Sequence, residues 1–350
     1  MSAANFRSAL RDIAWPALPD EIGARMLALQ FQFEESERWA EADIQAQQFR
    51  QVAQLVAFCQ GNIPFWRDRL RRAGLRPGQD VTPQLWARLP ILSQSEATQA
   101  GIRLRPAQSP PDHGGVQPGP VAATELALFL SFATELRRAL WHDVDVTLKR
   151  AATILPASGA GPAERVDTTP NWGVGFTALV TGSAISFDPR LPPTRQIALL
   201  RDAQAGVLIT SPANATRLAA QCRATGDRLP DLRVLMTEGD PLPEADRALC
   251  QEIFAVPAID AWRTTEAGLL SVACPEHGAQ HVMAETTLLE VLDTGGRPCA
   301  PGCAGRVVVT PLHNFAQPLL RFDTGFAAAL APPCPCGRSL PVLTGITRRA

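Results

Sequence analysis

The sequence predicts an α/β fold: a layered core of mostly parallel strands flanked by helices, with an antiparallel β subdomain near the C-terminus. Three patterns carry this reading. Between Ala151 and Ile259, short apolar strand-like runs alternate with helical stretches, the arrangement of parallel strands joined by helical crossovers. Upstream of them the periodicity is helical. From Leu288 to Val309 the chain changes to short strands separated by Gly and Pro turns. The expected segments are a helical N-terminal region at 1–105, an α/β core at 106–285 and a β subdomain at 286–350.

In chain order, Phe31 to Phe58 contains no Pro or Gly and reads as one amphipathic helix, with Trp39, Ile44, Phe49, Val52 and Leu55 facing inward. Gly61-Asn62-Ile63-Pro64 ends it, and a second helix runs from Phe65 to Ala73, stopping at Gly74. Ser93 is an N-cap for the next helix, because its hydroxyl can accept from an unpaired first-turn N–H. The Pro- and Gly-rich stretch at 105–120 is loop, and Leu126 to Trp141 is helix. Strands are expected at Ala151–Leu155, Ala184–Phe187, Val207–Thr210 and Val234–Met236. Helices are expected at Gln196–Ala203, Ala213–Thr225 and Asp246–Phe254, and the apolar run Ile253–Ile259 reads as a short buried strand.

The chain has 350 residues, enough for a large core and for more than one domain. A net charge of −1 argues against a nucleic-acid surface, which needs a basic excess. No apolar run is long enough to span a membrane, and the charged N-terminus does not read as a signal peptide, so a cytoplasmic protein is expected. Eight Cys scattered over this length do not form a disulfide framework. Lys149 is the sole lysine, which removes most candidates for a catalytic amine.

Two constellations carry chemistry. In Trp262-Arg263-Thr264-Thr265-Glu266, adjacent hydroxyls and a carboxylate at a strand end suit phosphate oxygens and a Mg²⁺ ion beside them. Cys274, His281, Cys334 and Cys336 form a Cys₃His set suited to tetrahedral Zn²⁺; the bland alternative is a group of reduced, buried thiols.

Trp262 to Glu266 resembles the Tyr-Gly-x-Thr-Glu motif of adenylate-forming enzymes, and the Cys and His that follow resemble the phenylacetate–CoA ligase branch of that superfamily. Further segments extend the likeness. The order Asn-Ile-Pro-Phe-Trp (62–66), an Arg-rich helix and Leu89-Pro90-Ile91-Leu92 is similar to the N-terminal region of those ligases. His113 to Pro120, followed by Thr124, stands where the family has its hydroxyl-rich phosphate loop; Gly115 and Pro120 match, but every hydroxyl within the loop is gone. Thr237 to Leu242 resembles the adenine-side Gly-Gly-Glu-Pro-Leu turn, with Gly239 and with Asp240 in place of Glu. Arg321 to Phe326 resembles the Arg-Tyr-x-Thr-Gly-Asp segment, but Phe326 replaces the Asp that accepts both ribose hydroxyls, a loss of about 1–3 kcal/mol of hydrogen bonding.

The resemblance implies an adenylate-forming-type fold that activates an aromatic or other carboxylic acid with ATP and passes it to CoA. Thr265, Glu266 and Arg321 take the catalytic positions, and Trp262, Thr264, Asp240, Gly239, Gly115 and Thr124 take those around the nucleotide. The acyl pocket is walled by Trp172, Gly175, Phe176 and Ser211. Structural zinc would sit on Cys274, His281, Cys334 and Cys336. His277 is the rival to His281, but the family pattern places its His before Val-x-x-Glu, here Val282 to Glu285. Gly345 to Ala350 aligns with the hinge before the family's small lid domain, so the lid and its lysine are expected from a separate chain or a homodimer. The missing loop hydroxyls and ribose carboxylate sustain an alternative: a zinc-stapled binding or scaffold protein without ATP chemistry.

Overall fold

A computed structural model describes residues 6–153, 165–172 and 179–349. By internal contacts the chain divides into two compact units, Met1–Phe31 with Glu135–Trp262, and Gln32–Thr134 with Arg263–Ala350. Each unit is thus assembled from two separated stretches.

The N-terminal helices are α1 (Glu21–Ser36), α2 (Glu41–Asn62), α3 (Pro64–Arg72), α4 (Pro83–Trp86) and α5 (Gln94–Ala100), followed by α6 (Glu125–Trp141). The single helix expected from Phe31 to Phe58 is two, because the chain turns at 37–40 and restarts with Ala40 in the extended region. Ile44, Val52 and Leu55 are buried as expected, whereas Trp39, in the turn, is 40% exposed. Ser93 caps α5 in a reciprocal box: its hydroxyl accepts from Glu96 N–H at 3.2 Å, and the Glu96 carboxylate accepts from Ser93 N–H at 3.0 Å.

The first unit is the α/β layer. Strands β3 (Arg150–Thr153), β4 (Val166–Thr169), β5 (Ala184–Phe187), β6 (Val207–Thr210), β7 (Val234–Gly239) and β8 (Ala258–Thr264) lie in the order β4-β5-β3-β6-β7-β8. All of these pairs are parallel except β4–β5. Helices α7 (Pro193–Asp202), α8 (Pro212–Thr225) and α9 (Glu244–Phe254) make the crossovers. Alternation along each strand then fills two cores. Leu208 and Leu235 pack with Leu200, Leu218 and Phe254 on one face, while Val207, Val234 and Met236 pack with Trp172 and Ile259 on the other. The run Ile253–Ile259 is not one strand: α9 continues to Phe254, Ala255 takes a left-handed C-cap conformation, and β8 starts at Ala258.

The second unit holds a small antiparallel pair, β1 (Val116–Gln117) and β2 (Ala123–Thr124), and a larger antiparallel sheet. The sheet contains β9 (Gly268–Ala273), β10 (Gln280–Val282), β11 (Thr287–Leu292), β12 (Gly305–Pro311), β13 (Phe322–Ala331) and β14 (Val342–Arg348), ordered β11-β12-β13-β14-β10-β9. Within this sheet the antiparallel strands begin at Gly268, earlier than the switch legible at Leu288. No helix among the described residues is long and apolar enough to cross a membrane.

Candidate functional site

A cavity of about 300 Å³ lies wholly within the second unit. One wall is the segment Arg263–Leu269, another is α6 from Ala127 to Thr134, and Thr286, Thr287, Pro311, His313 and Asn314 complete it. The structure thus brings Thr264, Thr265 and Glu266 to one space. They differ in what they have left to give. Thr264 is buried and its hydroxyl accepts from Ala267 N–H at 3.2 Å, which holds the turn leading into β9. Thr265 is exposed and Glu266 half-buried, so these two present a hydroxyl and a carboxylate to the cavity. Arg263 lines it as well; burial pushes the pKa of its guanidinium down.

Other residues of the expected site have different employment. Arg321 does not line the cavity. Its guanidinium meets Glu290 through Nε and Nη2, at 3.1 Å and 2.9 Å, and Nη1 donates to the carbonyls of Ala87 at 2.9 Å and Leu89 at 2.6 Å. A side chain 2% exposed and satisfied in this way holds structure, and the structure does not bring Arg321 to the space shared by Thr265 and Glu266. Trp262 is fully buried, which leaves no open ring face for a base to stack on. Thr124 is fully buried too, and its hydroxyl accepts from Ala127 N–H at 3.1 Å, capping α6 instead of reaching a ligand.

The loop at 113–120 is also re-employed. Gly115 C=O accepts from Glu125 N–H at 2.9 Å, and the Glu125 carboxylate packs against Gly114 and Gly115 so closely that a Cβ on Gly114 would fall 2.5 Å from its oxygen. A carboxylate stands beside the loop expected to cradle phosphate. His113 sits edge-on to Phe315, with ring centroids 4.7 Å apart.

In the first unit, Gly239 closes β7 at φ 111° and Asp240 is exposed just beyond it. Trp172 is buried; its indole N–H donates to Leu148 C=O at 2.8 Å and the Arg150 guanidinium lies 5.5 Å from the ring centroid. Ser211 caps α8, accepting from Asn214 N–H at 3.3 Å. Gly175 and Phe176 lie outside the described residues. Back in the second unit, Phe326 is buried under the Arg348 guanidinium at 4.7 Å. Asp323, three residues before Phe326, is engaged by Arg349 and accepts from Gly325 N–H.

Sequence reasoning missed His313 and Asn314. Both follow the end of β12 in Thr-Pro-Leu-His-Asn-Phe, a stretch with no recognisable motif. Burial, with the neighbouring His113 adding to it, pushes the His313 imidazole down to about 4.

Cys274, His281, Cys334 and Cys336 come together, with all four ligand atoms within 4.8 Å of one another. The Cys334 and Cys274 sulfurs are 3.8 Å apart, and the Cys336 sulfur is 3.4 Å from His281 Nε2. Ligands at tetrahedral zinc distances, about 2.3 Å for sulfur and 2.0–2.1 Å for nitrogen, stand about 3.5–3.8 Å apart, close to the two separations of 3.8 Å and 3.4 Å, so the chemistry and clustering of the donor set suit such an ion. His281 is fully buried and its Nδ1 lies 3.3 Å from Leu340 C=O, an outer contact that directs Nε2 inward. His277 is exposed and stands outside the group. Burial holds the Cys334 thiol up at about 11, a cost that a bound cation reverses by taking the thiolate.

No protein-family profile matches the chain. It is 26% identical over 315 residues to the phenylacetate–coenzyme A ligase of Thermus thermophilus, an alignment spanning 85% of this chain and 68% of that one. Its fold matches the crystal structure of an open conformation of 2-hydroxyisobutyryl-CoA ligase in complex with 2-HIB-AMP and CoA, with a TM-score of 0.72 at 17% identity, over 90% of this chain and 77% of that one. The same ligase in the thioesterification state gives a TM-score of 0.71 at 16% identity, over 99% and 76%. The fold is that of the adenylate-forming CoA ligases, and the likeness to phenylacetate–CoA ligase read from the motifs stands.

Proposed function

We propose that this protein activates a carboxylic acid, using ATP and Mg²⁺ to make an acyl-adenylate that CoA then intercepts as a thioester. The observation that supports the reading is the meeting of Thr265 and Glu266 in one cavity, on a chain with the ligase fold. In this reading Mg·ATP supplies the leaving pyrophosphate and the charge shielding. The chain supplies orientation: Thr265 donates to a phosphate oxygen, Glu266 holds the cation, and Arg263 balances charge at the wall. A cytoplasmic location goes with these substrates. Cys274, His281, Cys334 and Cys336 hold a structural zinc ion, whose chemistry is to fix geometry and not to react.

A second reading, a zinc-stapled binding or scaffold protein without ATP chemistry, draws on specific replacements. Phe326 and the paired Asp323 leave no carboxylate for the ribose hydroxyls, and Glu125 places negative charge against the phosphate loop. Calorimetric titration with Mg·ATP and AMP, followed by carboxylate-dependent pyrophosphate exchange over a panel of aryl and alkyl acids, separates the two. Exchange supports the ligase. AMP binding without exchange points to a nucleotide-responsive module or a split enzyme, and no nucleotide binding at all supports the second reading. Absence of any nucleotide binding removes the first.

A further inference from the structure

Three ionisable side chains line the cavity: Arg263, Glu266 and His313. We propose that His313 is a ligand-contacting residue, donating an N–H to an anionic oxygen of the bound molecule, either a nucleotide phosphate or the carboxylate of the acid. The proposal rests on the acid-activating reading above and assigns that site a further residue.

The backbone around His313 is held on both sides. Leu312 N–H donates to Thr286 C=O at 2.9 Å, and Thr286 is itself part of the wall. Asn314 Nδ2 donates to Ala122 C=O at 2.9 Å, between the wall residues Val121 and Ala123. The Asn314 carboxamide oxygen then accepts from Ala316 N–H at 3.2 Å, so the strap cannot roll without breaking these bonds. A side chain carried between two anchored neighbours is placed before any ligand arrives, which is what recognition at low entropic cost requires.

The hydrogen-bonding capacity of His313 is unspent. Its Nδ1 is buried with no hydrogen-bond partner among the described residues. Most of the other polar groups in the wall have internal partners. Thr134 donates to Ser131 C=O at 2.7 Å, Thr286 donates to Met283 C=O at 3.1 Å, and Thr264 caps its own turn. An anionic oxygen entering the cavity meets Glu266 as well as Arg263, and in the acid-activating reading the cation is held by the carboxylate. The His313 imidazole, uncharged at neutral pH, gives that oxygen a donor that does not compete with the cation for the carboxylate.

The test is calorimetry on the full chain with AMP in the presence of Mg²⁺, with adenosine, and with phenylacetate, comparing wild type with His313→Ala, His313→Asn and His313→Gln. The expected result is a loss of about tenfold or more in affinity for AMP, for phenylacetate or for both in the Ala variant. Adenosine affinity and melting temperature stay unchanged. Asn, whose amide lies near the Nδ1 position, or Gln, whose amide lies near Nε2, restores part of the loss and identifies the nitrogen. A loss confined to AMP assigns the contact to phosphate, and one confined to phenylacetate assigns it to the acid. Undiminished affinity in the Ala variant overturns the proposal while leaving the acid-activating reading intact. A uniform loss that includes adenosine, with a lowered melting temperature and no rescue, also overturns it, as a structural role. Should the Ala variant fail to fold, imidazole ¹⁵N shifts of the wild type decide: no change on saturation with AMP or phenylacetate overturns it. A wild type that binds neither compound overturns this proposal together with the acid-activating reading it rests on.

Discussion

The guanidinium of Arg321 and the carboxylate of Glu290 meet side by side, through two parallel hydrogen bonds of 3.1 Å and 2.9 Å. Trp86 Nε1 adds a third donor to the same carboxylate at 3.2 Å. Arg321 itself holds a left-handed backbone at φ 48°, which a non-Gly residue adopts only when its surroundings enforce it. Removing one partner leaves the other charge buried, so Arg321→Ala should cost about 3–5 kcal/mol in urea unfolding. Arg321→Lys should recover little of this, because an ammonium cannot match the planar fork. Wild-type stability in either variant would contradict the structural role.

The metal site predicts a stoichiometry. Protein purified under reducing conditions should contain about one zinc ion per chain by elemental analysis, as a closed four-ligand site requires. Cys334→Ser, Cys336→Ser and His281→Ala should each lose it, while Cys303→Ser and His277→Ala, both at exposed residues outside the group, should retain it.

Thr265→Val and Glu266→Gln should weaken Mg·ATP binding by about tenfold each, the value of one strong polar contact. Both residues are at least partly exposed, so stability should stay within about 0.5 kcal/mol of wild type. A fall in stability without a change in affinity would place them in the scaffold instead.

His313 sets a pH dependence whose sign is fixed. Its imidazole titrates near 4 when folded and near its ordinary value of 6.5 when unfolded, so the unfolded chain takes up the proton first. The stabilisation is therefore complete above pH 6.5 and is lost as pH falls toward 4, by up to about 3 kcal/mol. His313→Gln should flatten the stability profile across that window, measured by denaturant midpoints at successive pH values.

Glu125 should act in two directions. Its carboxylate lies in the first turn of α6, where negative charge is favourable, so Glu125→Gln should lower stability by about 0.3–1 kcal/mol. The same change removes the charge packed against Gly114 and Gly115. Phosphate-bearing ligands should then bind more tightly at low ionic strength if that loop approaches them, and calorimetry in 20–200 mM salt, roughly spanning strong to weak screening, would show the gain fading.

The elements with strong local signals were legible. The Ser93 N-cap and the strand–helix alternation from 150 to 264 depend on residues close in sequence; the reciprocal partner Glu96 came only from the structure. The Cys₃His group was readable because thiols and imidazoles in tight turns have few other uses. The roles of Thr124, Thr264 and Arg321 were not, for one physical reason. A hydroxyl that can take a phosphate can equally cap a turn, and a guanidinium that can meet a nucleotide can equally meet Glu290, thirty-one positions upstream. Only tertiary partners distinguish these uses. The helix break before α2 escaped notice because neither Gly nor Pro marks it.

Beside the metal ligands, Arg338 reaches Glu37 at 3.4 Å, and Ser339 N–H donates to Glu37 C=O at 2.6 Å, fastening the turn between α1 and α2 to the loop that carries Cys334 and Cys336. These partners are made far apart in translation. The amphipathic α2 leaves the ribosome early, yet the loop that receives the turn before it is synthesised much later. Through most of that interval the turn between α1 and α2 waits without the loop that will fasten it, and refolding after mild unfolding should order α2 before the Glu37–Arg338 contact forms.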